Sequence, residues 1–180
     1  MRFVNRFPLL LSACLAMTSA TGWALPSDRD QPIRIQADSA ELDDRQGVAM
    51  YRGNVVITQG TLKITGDTVT ITQNNAGDVD IFTAVGNRAY YEQVAQQGKE
   101  PVQAYGRTIQ YFTQNERIVL LDQARVINEG NTFESEKIVY DTRRQIINAG
   151  RAGNSNVSTQ QPRIDMTIQP RSKSGNQQAE

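Results

Sequence analysis

The chain has 180 residues, no histidine, one cysteine, and 19 basic residues balanced by 19 acidic ones. Near-neutral, dispersed charge argues against a nucleic-acid binder, and the missing histidine removes the usual neutral-pH proton shuttle and the commonest metal ligand. No phosphate-binding loop, nucleophile elbow or metal-ligand spacing occurs, so no cofactor is expected.

In chain order, the first segment reads as an export signal. Arg2 and Arg6 make a basic start, Leu9 to Met17 an apolar stretch, and Gly22-Trp23-Ala24 a small-residue cleavage site before Leu25. The stretch is too short and too interrupted to span a bilayer. Residues 1–24 are therefore expected to be removed as a signal peptide, leaving about 155 residues for one soluble exported domain. Leu11-Ser12-Ala13-Cys14 also has the form of a lipoprotein processing site, which would leave Cys14 lipidated. The apolar core before Cys14 is only about six residues, below the usual ~7–15, and the run continues past it, which favours cleavage after Ala24. A chain cleaved there keeps no cysteine, so disulfides are excluded although the compartment permits them.

Residues 25–31 are a polar lead-in. From Ile33 the chain alternates apolar and polar residues in short runs, with strands predicted near 32–37, 39–43, 48–51, 54–58, 61–65, 67–73, 79–84, 87–94, 102–105, 107–113, 117–121, 124–128, 131–134, 136–141 and 145–149. Turn residues separate them, as at Asp43-Asp44-Arg45-Gln46-Gly47, Gln59-Gly60 and Glu129-Gly130-Asn131. Tight turns between consecutive strands mean antiparallel pairing, and some 15–16 short strands must curl or split into two facing sheets. Residues 25–150 form this domain. Residues 151–180 are a polar tail with a possible last strand at 162–170, where Ile164, Met166 and Ile168 share one face between Pro162 and Pro170.

One six-residue phrase recurs: small, charged, polar, apolar, any, apolar. Its copies are Ala37 to Leu42, Gly66 to Ile71, Gly106 to Tyr111 and Ser135 to Tyr140. Their starts are 29, 40 and 29 residues apart, so the outer pairs are related by a shift of 69. The same shift lays Ile33 on Val102, Ile35 on Ala104, Val55 on Ala124, Ile57 on Val126 and Ile64 on Phe133. No residue is identical across the two copies of 37–71, so what repeats is a burial pattern, that of stacked hairpins too small to bury an apolar face alone. Leu42, Val55, Ile57, Ile64, Val69, Tyr111, Leu120, Phe133 and Tyr140 are expected to face the space between the sheets.

The acidic pairs Asp28/Asp30, Asp43/Asp44, Asp78/Asp80 and Glu134/Glu136 invite an alternative, a periplasmic glycan-acting enzyme. Turn and edge positions, and the lack of graded calcium-loop spacing, favour a structural role for them. A third reading, an outer-membrane barrel, needs spanning strands of ~9–11 residues and an aromatic girdle, and neither is visible.

Two segments carry a resemblance: Asp30-Gln31-Pro32-Ile33-Arg34-Ile35-Gln36-Ala37-Asp38, and Gly53 to Ile64, which reads GNVVITQGTLKI. With them the chain resembles the LptA group of the OstA-like family, periplasmic lipopolysaccharide-transport bridge proteins. The likeness covers most of residues 30–150 and is looser from 74 to 105. It implies a twisted, slightly open β-jellyroll that holds lipid A acyl chains in an apolar groove and serves outer-membrane assembly without catalysis. It further implies LptC-like inner-membrane and LptD-like outer-membrane partners with similar jellyrolls, and head-to-tail self-association. By matching segments, Ile33 and Ile35 fall on the groove-facing side of the first strand, and Tyr90 and Tyr111 near aromatic groove positions. The terminal strands are the expected docking edges, with Pro32, Arg34 and Ala37 at one end and Ile164, Met166 and Ile168 at the other.

Overall fold

The structure, a computed structural model, describes residues 28–94, 98–150 and 164–169. The expected signal peptide, Cys14, and the tail on either side of 164–169 lie outside these residues. A short 3-10 turn at Asp28–Asp30 precedes ten strands. They are β1 (Arg34–Gln36), β2 (Ser39–Asp43), β3 (Val48–Gln59), β4 (Leu62–Gln73), β5 (Val79–Gln93), β6 (Val102–Phe112), β7 (Arg117–Asn128), β8 (Asn131–Asp141), β9 (Ile146–Gly150) and β10 (Asp165–Thr167). Pairing is antiparallel throughout. Strands β3 to β8 lie in chain order, β1 and β2 both flank β3, and β9 and β10 both flank β8.

One expectation is corrected here: among the described residues the 15–16 short strands are ten, while the expected facing sheets are present as two halves of one continuous, curled sheet. Each of β3 to β8 joins two of the predicted short strands. The joints are irregularities in register: between Arg52 and Val55, Thr65 and Thr68, Val85 and Ala89, Tyr105 and Thr108, and Leu121 and Ala124. A bulge adds a residue to one strand and bends it without ending the ladder, so in sequence it looks like a turn. Strand length therefore no longer separates this sheet from a spanning barrel. Its edges do: among the described residues β1 and β2 pair only with β3, and β9 and β10 only with β8.

Because the bulges lie side by side, the whole sheet folds along one line into two layers. Tyr91 on β5 pairs with Ala104 on β6, and Tyr111 lies seven residues further along β6. A straight strand would separate those positions by about 23 Å, yet the Tyr91 and Tyr111 rings are 5.4 Å apart, centroid to centroid. Asn128 Nδ2 likewise reaches the Tyr140 hydroxyl at 3.5 Å from the other layer. The recurring phrase marks the fold line: Ala37, Gly66, Gly106 and Ser135 sit where the chain crosses from one layer to the other. A Cβ on Gly66 would come 3.0 Å from the Val85 carbonyl oxygen, so a small residue is needed at that crossing.

Candidate functional site

Antiparallel pairing keeps directly opposed residues on the same face, so the register traces apolar rows across the interior. In one layer the row is Ile35, Ile57, Ile64, Tyr91, Ala104, Val126, Phe133 and Met166, from β1 to β10. In the other it is Leu42, Ala49, Ile71, Phe82, Tyr111, Ile118, Tyr140 and Ile147. A parallel row runs Ala40, Tyr51, Val69, Ala84, Ile109, Leu120, Ile138 and Ala149. The shift of 69 seen in sequence carries the first half of each row onto the second: Leu42 onto Tyr111, Ile71 onto Tyr140, Val69 onto Ile138.

The middle of these rows is packed. Val55, Ile57, Ile64, Val69, Tyr111, Leu120 and Tyr140 are buried in the common core, and Phe133 packs partly buried against it. At the N-terminal end the layers part. Ile33 and Ile35 are half-buried, and with Leu42, Ala49, Tyr51 and Ile71, beside the exposed turn carboxylates Asp43 and Asp44, they line an open cavity of about 220 Å³. Leu42, at the row's end, is 65% exposed. Pro32, Arg34 and Ala37 are exposed, with Arg34 alternating between the inward Ile33 and Ile35. At the far end Ile164, Met166 and Ile168 are exposed, and Met166 opposes Phe133 across the β8–β10 pair.

Tyr90 is a correction. It stands on the outer face, its ring 5.0 Å from that of Tyr105, with Arg88 stacked on Tyr105 at 4.7 Å. Its hydroxyl bonds the Glu92 carboxylate. The inward aromatic is its neighbour Tyr91, which is fully buried. Side chains alternate with period two, and the irregularity between Val85 and Ala89 resets that alternation; extrapolating the pattern through it selects the wrong member of the Tyr-Tyr pair. Desolvation raises the Tyr91 hydroxyl well above its ordinary range and pushes Tyr111 up to about 12. Tyr91 OH donates to Gln93 Oε1.

The acidic residues do structural work. Asp43 accepts the Arg45 and Gln46 amides at 3.0 Å, closing the β2–β3 turn. Asp78 donates its amide to Asn74 Oδ1 at 3.0 Å in the next turn, and Glu134 pairs with Arg125. Among the described residues no cluster of histidine, cysteine and acidic side chains is arranged to hold a metal. Sequence reasoning passed over Ala49, Tyr51 and Tyr91. It also passed over the lead-in residue Arg29 and weighed Asp28 only as half of an acidic pair, since their polarity hid their contacts with both layers. Aligning both halves at the shift of 69 pairs Ala49 with Ile118 and Tyr51 with Leu120, a signal that could have found them.

Comparison with known proteins places this geometry in a family. Residues 34–146 match the family model described as LptA/(LptD N-terminal domain) LPS transport protein. The lipopolysaccharide export system protein LptH of Pseudomonas aeruginosa is 61% identical over 173 residues, 96% of this chain and 99% of LptH. The lipopolysaccharide export system protein LptA of Escherichia coli K12 is 30% identical over 142 residues, 78% of this chain and 76% of that one. The crystal structure of Pseudomonas aeruginosa LptH, described as the LptA-homologous periplasmic component of the lipopolysaccharide transport device, superposes with a TM-score of 0.73 at 63% identity. The match covers 81% of this chain and all of that one. An open antiparallel sheet folded into two apolar-lined layers, matched along its length by these relatives, belongs to the LptA/(LptD N-terminal domain) family of lipopolysaccharide-transport proteins.

Proposed function

We propose that this protein is a periplasmic component of lipopolysaccharide transport whose interlayer groove takes up lipid A acyl chains. The observation that carries the reading is the pair of apolar rows running from β1/β2 to β9/β10, with Leu42 and Met166 exposed at their ends. Each acyl CH₂ withdrawn from water is worth about 0.8 kcal/mol, so a dozen-carbon chain left in the periplasm would cost roughly 10 kcal/mol. Ile, Val and Leu walls are about as apolar as lipid, so a chain can pass in and out with little net free energy. That suits a conduit, which must release what it binds. The chain carries no nucleotide-binding motif, so directional drive comes from partners.

The domain boundaries belong to the same reading: a leader at 1–24, the jellyroll at 25–150, and a tail from 151 that contributes its last strand to the edge of β8. An LptC-like inner-membrane jellyroll would pair with β1, at Pro32, Arg34 and Ala37. An LptD-like outer-membrane jellyroll would pair at the opposite edge, near Ile164, Met166 and Ile168. A second copy of this chain could join the same edges head to tail. Such heterologous contacts need not close, so concentration-dependent rods are expected. Removing residues 162–180 should abolish them in a sedimentation series, and a compact two-fold dimer would contradict the scheme.

The groove is tested by photo-crosslinking. A reactive residue at Ile33 or Ile35 should capture lipopolysaccharide strongly and one at Arg34 weakly, because neighbours on a strand face opposite sides. Equal labelling at all three would overturn the inward assignment.

A further inference from the structure

Folding the sheet along the bulges leaves the hairpin ends of the two layers as facing lips. Residues Asp28–Asp30 lie across them. On one lip the Asp28 carboxylate accepts the Thr61 amide, the Thr61 hydroxyl and Gln93 Nε2, each at 2.7 Å. On the other, Arg29 donates to the Thr113 carbonyl oxygen and pairs with Glu116 at 3.1 Å. Arg143 also reaches Glu116, at 3.2 Å. Gln59 Nε2 fastens the turn from beneath, donating to the carbonyls of Arg29 at 3.2 Å and Gln31 at 3.0 Å. Beside it Arg29, Ile33, Gln59, Val79 and Thr113 line an interlayer cavity of about 280 Å³. The buried Tyr111 below feels the charges of Arg29, Glu116 and Asp28.

We infer that Asp28-Arg29 is a latch over the side opening of the groove, which must let go of at least one lip before an acylated lipid enters from the side. The inference rests on the acyl-chain reading above. Its contacts suit a gate: they are polar, lie near water, and concentrate in two side chains. A closed latch lowers the fraction of molecules competent to load, and apparent affinity falls by that same fraction. Weakening the latch should therefore speed loading and tighten apparent binding, the opposite of what loss of a lipid contact would do.

The test uses the full chain and purified lipopolysaccharide, with a deacylated preparation as control. D28A should load on the order of tenfold faster, with a correspondingly lower apparent Kd, and R29A should shift both in the same direction by less. A D28C/T61C pair in a C14S background should load more slowly when oxidised, when only the Arg29 lip can open, and at the D28A rate when reduced, and that reversible difference separates locking from misfolding. Hydrogen exchange of the Thr61 amide, followed without lipid, reads the latch by itself and should be slow in the parent and fast in D28A. Loading that is unchanged in D28A and unaffected by oxidation of the pair overturns the latch, as does a Thr61 amide that exchanges equally fast in parent and D28A. A protected Thr61 amide in a parent that binds no lipopolysaccharide overturns the acyl-chain reading, and the gate falls with it.

Discussion

The centre of the folded sheet and its N-terminal mouth are built from the same residue types on the same spacing, yet they are different materials. Leu120, mid-row, and Ile57, one strand in from the mouth, are both 0% exposed. Ile35, the direct partner of Ile57, is half-buried, and Leu42 stands mostly in solvent. The difference comes from neighbours. A residue on β4 to β7 has a full strand on each side and the second layer opposite. A residue on β1 or β2 has one neighbour strand, and the layers are parting. Alternation therefore tells which way a side chain faces, and the number of strands around it tells whether that face is filled or open.

The largest effect should come from placing a charge in the centre. Leu120→Asp would bury a carboxylate among Ile109, Ile138 and the opposing layer, without a partner. Loss of more than about 4 kcal/mol, or failure to fold, is expected, read as the urea midpoint. A variant that folds normally and merely binds less lipid would mean that the groove extends through the middle, erasing the contrast between the two regions.

This contrast also explains what could be read from the sequence. The inward residues were legible because one face is apolar along every strand, and the internal shift of 69 was legible because it is the register of the sheet itself. Strand number was not, because a bulge and a turn both appear as a small or polar interruption. Tyr90, put near a groove position by its matched segment, faces outward because the irregularity ahead of it resets the alternation and leaves no mark of its own in composition. The role of Asp28 and Arg29 could not be read, since their partners Thr61, Gln93, Thr113 and Glu116 lie more than thirty residues away.

A smaller effect should separate two bulges that the shift of 69 makes equivalent. Gly53-Asn54 on β3 and Asp122-Gln123 on β7 all have positive φ. They differ in surroundings: a Cβ on Gly53, at φ 82°, would fall onto the Asp38 carboxylate at the gap between β1 and β2. Gly53→Val adds a β-branched side chain in the left-handed region and should lower stability by about 1–3 kcal/mol from backbone strain alone. Asp122→Gly should stay within about 1 kcal/mol of the parent, since relief of strain offsets the added freedom of the unfolded chain. Equal losses in thermal unfolding would mean that the bulges, and not their neighbours, set the requirement.

The smallest stability change should be at the mouth, where function is most exposed. Leu42→Asp puts a charge on a side chain already 65% exposed at the end of its row, so little apolar contact is lost. Its stability should stay within about 0.5 kcal/mol of the parent, the usual range for surface changes. The same charge sits on the wall of the N-terminal cavity, facing Ile33 and Ile35. An acyl chain lying there would have to desolvate a carboxylate, which disfavours it strongly. Lipopolysaccharide capture by a photo-reactive residue at Ile35 should therefore fall at least tenfold with the unfolding midpoint unmoved. Together with Leu120→Asp this gives a pair in which one substitution at two points of equivalent rows divides folding from transport. If Leu42→Asp captures lipid as well as the parent does, acyl chains do not pass this mouth, and the route into the groove must lie along the side opening alone.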